Sequence, residues 1–313
     1  MRVSDFDYDL PAELIAQHPL SERDASRMLI VDRATKTWRD STFTFLPDCL
    51  RANDVLVLNN TRVFPARLLG ERSPSGGAVE LLLLREIEPN VWSGLTRPAS
   101  RLRTGTQITF CEGKLRAKVI EVLAGGVRVL RFESEQPLNA LIDELGRTPL
   151  PPYIKREGEQ SRSDGERYQT VYAKERGAIA APTAGLHFTS RVLQEIEARG
   201  ARLAEITLHV GYGTFEPVRA DVISEHRVAP EWFSIGDEAA QVLNRARATG
   251  GRIIAVGTTT ARALESSVRD DGQIEARSGF AGLTIVPGFR FRAVDAQLTN
   301  FHLPRSSLLM LVS

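Results

Sequence analysis

The sequence predicts an α/β protein that carries an all-β insertion, and two kinds of stretch point to it. Residues 54–59 (DVLVLN) and 253–256 (IIAV) are apolar without the alternation of a half-solvated strand. Both faces of such strands are expected to be covered, as in a sheet flanked by helices. Between Pro65 and Phe132 the character changes: six short strand-like segments lie around 66–69, 79–84, 91–95, 107–110, 115–122 and 127–132, with no convincing helix among them. Gly, Pro, Ser and Asn turns separate them, including Gly125-Gly126, a hairpin composition. That pattern is expected of a small closed barrel or a sandwich. Because α/β features lie on both sides, it reads as an insertion: 1–64 and 150–313 form the main domain, and 65–149 the inserted one.

The remaining elements follow in order. Residues 10–15 (LPAELI) are expected to begin a short helix, with Pro11 at a first-turn position where its missing N–H costs nothing. Residues 28–32 read as a strand. Residues 54–59 run straight into Asn59-Asn60-Thr61-Arg62, a polar turn at a strand's carboxyl end, where ligands of open α/β sheets collect. A helix over 138–145 and the run Pro149-Leu150-Pro151-Pro152 mark the return to the main domain. The charged, glycine-containing stretch 155–167 (KREGEQSRSDGER) lacks apolar period and reads as a solvated loop; a loop that orders on a phosphodiester backbone is the sharper alternative. Thr189 or Ser190 suits a helix N-cap, Val192, Leu193 and Ile196 share one helical face, and Gly200 stops the helix. Leu203, Ile206, Leu208 and Val210 then have a short strand's composition. Asp237 starts a helix that Gly250-Gly251 ends, and the apolar run 308–312 is a strand or a helix.

Composition excludes more than it assigns. Forty Lys+Arg against 39 Asp+Glu leave a net charge of +1, so a nucleic-acid partner needs a local basic patch rather than a global field. Two separated cysteines make no disulfide or zinc framework. The first residues, MRVSDFDYDLP, hold no apolar signal region, and no run approaches a membrane span. A reduced, cytoplasmic protein without a membrane partner is expected. No GxGxxG follows a strand, and GxxxxGK[ST], HExxH, CxxC and GxSxG are absent.

The chemistry-bearing residues gather in loops. His187 in Pro182-Thr183-Ala184-Gly185-Leu186-His187 and His209 in His209-Val210-Gly211-Tyr212-Gly213-Thr214 flank one helix–strand unit. A buried structural histidine is the ordinary alternative for either one. Two of them, among glycines that admit close approach of backbone to a ligand, favour acid/base or substrate-orienting work. His302 in Asn300-Phe301-His302 is a third candidate. Gly257-Thr258-Thr259 opens a helix after a strand and suits a phosphate or carboxylate, or is a plain packing turn that uses Gly and Thr; Arg262 could clamp the same anion or form a salt bridge. Asn59, Asn60, Thr61 and Arg62 supply amide, hydroxyl and guanidinium groups in succession. Residues 97–103 (RPASRLR), led by Arg97, are a phosphate-contact patch or a solvated face.

These stretches together resemble one family, the S-adenosylmethionine:tRNA ribosyltransferase-isomerases of queuosine biosynthesis. The matching pieces are FDYDLP (6–11), DVLVLNNTRVFP (54–65), RPA (97–99), RYQTVY (167–172), AAPTAGLHFT (180–189), TLHVGYGTF (207–215), IAVGTT (254–259) and TNFHLP (299–304). They span nearly the whole chain in order. Two stretches depart: after His226 the family carries Met-His, where this chain reads Arg227-Val228-Ala229, and within 281–288 Gly282 and Thr284 replace an Asp and a Phe of the family's pattern.

The resemblance implies an α/β main domain with a mixed sheet flanked by helices, and an inserted small six-stranded antiparallel β-barrel. It implies S-adenosylmethionine as co-substrate, tRNA carrying 7-aminomethyl-7-deazaguanine as partner, no metal, no prosthetic group, and a monomer. The ribosyl group of S-adenosylmethionine is transferred and isomerised onto the wobble base, giving epoxyqueuosine with loss of adenine and methionine. A base takes a proton from the 5′-carbon beside the sulfonium, and His187 is expected in that role, supported by His209. His209 or His302 would meet the departing adenine. Gly257, Thr258, Thr259 and Arg262 would hold the methionine carboxylate, and Asn60, Thr61 and Arg62 would face the nucleoside or the modified base. Asn59, Arg97, Tyr168, Gln169, Thr183, Gly185, Gly211, Gly213, Thr214 and Asn300 complete the expected substrate-binding set.

Overall fold

The computed structural model describes residues 1–156, 162–211, 213 and 218–313. The chain opens on single 3-10 turns, Val3–Phe6 and Ala12–Leu14. The helix expected at 10–15 does not form, because Leu14 is 71% exposed and no apolar face offsets the cost of nucleating so short a helix. β1 (Arg27–Asp32) and β2 (Thr37–Thr42) form a separate two-stranded hairpin. β3 (Val55–Asn59) is buried along its length. The polar turn expected after it is drawn out instead into a short strand, β4 (Thr61–Val63).

Next come β5 (Arg67–Ser73), β6 (Ala78–Glu88), β7 (Val91–Arg97), β8 (Gln107–Phe110), β9 (Leu115–Val122) and β10 (Val127–Glu133). They close into a six-stranded antiparallel barrel in the order β10-β7-β6-β5-β8-β9. Leu68, Leu81, Leu83, Ile108, Leu115 and Leu130 fill it, each worth about 1.5–3 kcal/mol on full burial. Gly125 and Gly126, with φ of 69° and 84°, turn the chain between β9 and β10. Leu138, Leu141 and Ile142 of α1 (Leu138–Leu145) pack onto the same core.

The second half of the charged stretch is helical, α2 (Arg162–Arg167), rather than loop; residues 157–161 of it lie outside the described residues. β11 (Glu175–Ala178) pairs in parallel with β4. The Thr189 hydroxyl accepts the Val192 N–H at 3.3 Å and so caps α3 (Ser190–Ala198), as its sequence requires. There follow β12 (Arg202–Leu208), β13 (Glu231–Ile235), α4 (Asp237–Ala248), β14 (Ile253–Val256), α5 (Thr258–Glu265), β15 (Arg277–Ala281), β16 (Ala296–Leu298) and α6 (Ser307–Val312). The terminal apolar run is therefore a helix, capped by the Ser306 hydroxyl.

The main sheet is mixed, in the order β15-β13-β12-β3-β14-β16. β12, β3, β14 and β16 run parallel, while β13 and β15 are antiparallel to their neighbours. Alternation along β3 sends Val55 and Val57 to a core with Ala240 and Leu243 of α4 and Leu264 of α5. Leu56 and Leu58 point the other way, to Val192 and Ile196 of α3. Covering on both faces explains why β3 and β14 read as unbroken apolar runs. On β13, and on β12 beyond Leu203, which packs toward α3, only one face is apolar. Ala204, Ile206, Leu208, Phe233 and Ile235 join the α4–α5 core, leaving half-buried Glu205, Thr207, Trp232 and Ser234 on the other side.

Candidate active site

Four parallel strands end at one edge of the sheet, and four candidate segments leave from it. Asn59 and Asn60 end β3, His209 and Gly211 follow β12, Gly257 follows β14, and the 299–302 segment follows β16. Backbone bonds tie them together: Asn60 N–H donates to the Ile206 carbonyl at 2.9 Å, and Gly257 N–H to the Leu298 carbonyl at 2.8 Å. This is the crevice where open α/β sheets bind ligands.

His209 is held on several sides. Its backbone N–H donates to the Trp232 carbonyl, and its ring stacks on the Trp232 indole, 4.9 Å between centroids and 21° between planes. Nδ1 lies 2.8 Å from the Thr61 hydroxyl oxygen. That hydroxyl also lies 3.3 Å from the Glu175 carbonyl. When its one proton goes to that carbonyl, Nδ1 carries the ring proton and Nε2 the lone pair. Gly177 makes room for this ring, since a β-carbon there would fall 2.4–2.7 Å from Nε2, Cε1 and Cδ2. Burial holds the imidazole pKa below its ordinary value, partly offset by the nearby Glu175 carboxylate. The ring faces a cavity of about 350 Å³, lined also by Asn60, Glu175, Glu205, Thr207 and Trp232.

His187 ends the 3-10 turn Thr183–His187. Its Nδ1 lies 3.2 Å from the Ala184 carbonyl, which can only accept, so here too Nε2 keeps the lone pair. The ring packs against Phe43, and burial lowers its pKa, with the Arg23 charge acting in the same direction. Gly185 in the same turn makes room for buried Tyr172: a β-carbon there would meet the Tyr172 hydroxyl at 2.1 Å. That hydroxyl's pKa is pushed up by burial and by the Glu205 charge. His302 Nε2 sits 3.1 Å from the Thr299 hydroxyl, and burial drives its pKa down to about 4.

The queuosine biosynthesis protein family matches the chain over residues 3–313. The chain belongs to that family. The S-adenosylmethionine tRNA ribosyltransferase from Thermotoga maritima, a solved structure, is 35% identical, with 99% of this chain and 88% of that one covered and a TM-score of 0.51. The resemblance drawn from the motifs is thereby borne out. Among the described residues no helix is long and apolar enough to cross a membrane, and no three His, Cys, Asp or Glu side chains group as metal ligands.

Within this family member several residues expected to meet the substrate have internal partners. Arg262 is the clearest case. Its guanidinium is buried and bonded to Glu231 at 2.8 Å and to the Leu283 and Ala281 carbonyls. Asn59 is spent on β12: Nδ2 donates to the Leu208 carbonyl, and Oδ1 accepts the Leu208 and Thr61 N–H groups. Gln169 clips both backbone polar groups of Val63, and Tyr168 is buried with its hydroxyl pKa raised. Gly185 serves Tyr172, as above, and Gly211 donates its N–H to Glu231 at 2.9 Å. Gly213 lines a second cavity, of about 210 Å³, with His226 and Arg227. Arg62 and Arg97 are exposed, the latter at the end of barrel strand β7, and Thr183 and Asn300 are half-buried. Thr214 lies outside the described residues. At the α5 start Gly257 takes φ +94°, while Thr258 and Thr259 are buried beside first-turn amides that have no partner within the helix.

Sequence reasoning missed Glu231, which joins Gly211 to Arg262, and Gly177, Glu205 and Trp232. A signal existed for Trp232: in Glu231-Trp232-Phe233-Ser234-Ile235, alternation puts it opposite Phe233 and Ile235, an aromatic ring on the polar face of a strand.

Proposed function

We propose that this protein transfers and isomerises the ribosyl group of S-adenosylmethionine onto 7-aminomethyl-7-deazaguanine in tRNA, releasing adenine and methionine. The family supports the general assignment. The observation that carries the finer reading is the crevice at the carboxyl edge, where His209 lines the cavity beside Asn60 and its Nδ1 meets the Thr61 hydroxyl, with Nε2 taken as the unprotonated nitrogen.

In this reading His209, rather than His187, is the base. His187 lies against Phe43 with Nδ1 on the Ala184 carbonyl, whereas His209 opens on the cavity. Nε2 takes the proton from the 5′-carbon, made acidic by the adjoining sulfonium. The carbanion's electron pair forms a double bond to C4′ as the C4′–O bond of the ring breaks; that oxygen's pair makes a carbonyl at C1′ as the bond to adenine breaks. The aminomethyl nitrogen adds to C4′, the pair returned to C5′ attacks C1′ to close the carbocycle, and the alkoxide so formed displaces methionine from C5′ to close the epoxide. The amides at the start of α5 are the proposed seat of the methionine carboxylate, by the positive end of the helix alone and without Arg262. His187 and His302, both kept neutral by burial, orient adenine through hydrogen bonds.

The test is to incubate the protein with S-adenosylmethionine and tRNA bearing the deazaguanine base, then to assay free adenine. Adenine release that needs both substrates is expected. Release with a free base and no RNA points to a nucleoside enzyme, and tRNA binding without any adenine points to a binding protein; either result overturns the reading.

A further inference from the structure

The cavity beside His209 has one feature that catalysis at the 5′-carbon does not use. Glu205 projects from the polar face of β12. Its two carboxylate oxygens lie 2.7 and 2.8 Å from Lys174 Nζ, and Oε2 accepts from Asn60 Nδ2 at 3.1 Å. Asn60 is itself oriented by the Thr207 hydroxyl, which donates to its Oδ1 at 2.8 Å. The Lys174 side chain is 60% exposed and Glu205 only 33%, so the lysine is the partner that can swing away while the carboxylate stays. Trp232, held against His209, supplies an aromatic wall to the same cavity.

From these groups we infer that Glu205 reads the base, accepting the N1–H and 2-amino N–H of a guanine-type edge while Trp232 walls the ring plane. This rests on the function proposed above and names the residue that selects its acceptor. The chemistry discriminates among planar ligands. A carboxylate presents two acceptors, and a guanine-type edge presents two adjacent donors. An adenine edge pairs one donor with a ring nitrogen lone pair, which would oppose a carboxylate oxygen. A base extruded from RNA is read in this way, by hydrogen bonds to its pairing edge and by aromatic contact.

The test compares tRNA carrying 7-aminomethyl-7-deazaguanine with tRNA carrying the analogue that lacks the 2-amino group. The wild type should lose about 100-fold in kcat/KM on the analogue, because one oxygen of the half-buried carboxylate loses its donor. Glu205→Gln should lose about 100-fold on the authentic base yet treat the two bases within about 3-fold of each other, with KM for S-adenosylmethionine nearly unchanged. Glu205→Asp, which keeps the carboxylate, should retain the preference at lower kcat/KM. A Gln variant that discriminates as the wild type does overturns the inference. Binding of the two free bases to the wild-type protein, followed by tryptophan fluorescence, needs neither turnover nor a stable variant. Equal affinities there overturn the inference even where adenine is released, and absence of adenine release with unequal affinities overturns only the functional reading.

Discussion

The Thr61 hydroxyl stands 2.8 Å from Nδ1 of His209 and 3.3 Å from the Glu175 carbonyl. With its proton given to that carbonyl, its oxygen sets the histidine's tautomer without an acidic partner. Replacing Thr61 with Val removes the acceptor and leaves the tautomer unset. A fall in kcat of about 10–100-fold is expected, with KM for S-adenosylmethionine little changed, and Thr61→Ser should restore most of it. Steady-state kinetics on the three proteins checks this; equal kcat values would remove Thr61 from the mechanism.

Gly177 is required by space. A methyl group there would lie 2.4 Å from Nε2 of His209, well inside van der Waals contact. Gly177→Ala should therefore push the ring off Trp232 and cost about 1–3 kcal/mol of stability. Urea denaturation gives the cost, and the change in tryptophan emission reports the lost stacking. An Ala variant with unaltered emission and full activity would show that the ring is not confined there.

Much of this fold is legible in the sequence because burial on two faces and burial on one leave different patterns. Val55-Leu56-Val57-Leu58 announces a covered parallel strand, and the six turn-separated strands announce the barrel. The loops that gather at the carboxyl edge were readable for the same reason, since strand ends predict where ligands bind. What the pattern does not carry is the fate of each polar side chain. Arg262 looks available in the sequence, yet its partner Glu231 lies 31 residues away on a neighbouring strand. Asn59 and Gln169 likewise find backbone partners 149 and 106 residues distant. Local sequence cannot distinguish a polar group aimed at a ligand from one aimed at a distant strand.

That distant pairing leads to a stability prediction. The Arg262 and Glu231 side chains are only 3% and 4% exposed, so removing one strands a charge in the interior. Arg262→Met should destabilise the protein by about 3–5 kcal/mol. Glu231→Gln should also loosen Gly211, whose N–H is held by the other carboxylate oxygen. Denaturant titration measures the first effect, and hydrogen exchange at the Gly211 amide the second. A loss under about 1 kcal/mol for Arg262→Met would mean the pair is more hydrated than its burial implies.

Acid should weaken the fold through His302. Burial lowers its pKa from 6.5 to about 4. The unfolded chain therefore takes up a proton before the folded one does. The native advantage is complete above pH 6.5, declines as pH falls, and stops declining near pH 4, for a loss of at most about 3 kcal/mol. His187, His209 and His226 shift in the same direction, so the wild-type curve alone cannot isolate one residue. Urea midpoints at pH 7.5 and 4.5 for wild type and His302→Asn do isolate it, because the variant lacks that one titrating ring. The wild type should lose more stability across the interval than the variant, and parallel losses would mean that protonation of His302 is not resisted by its surroundings.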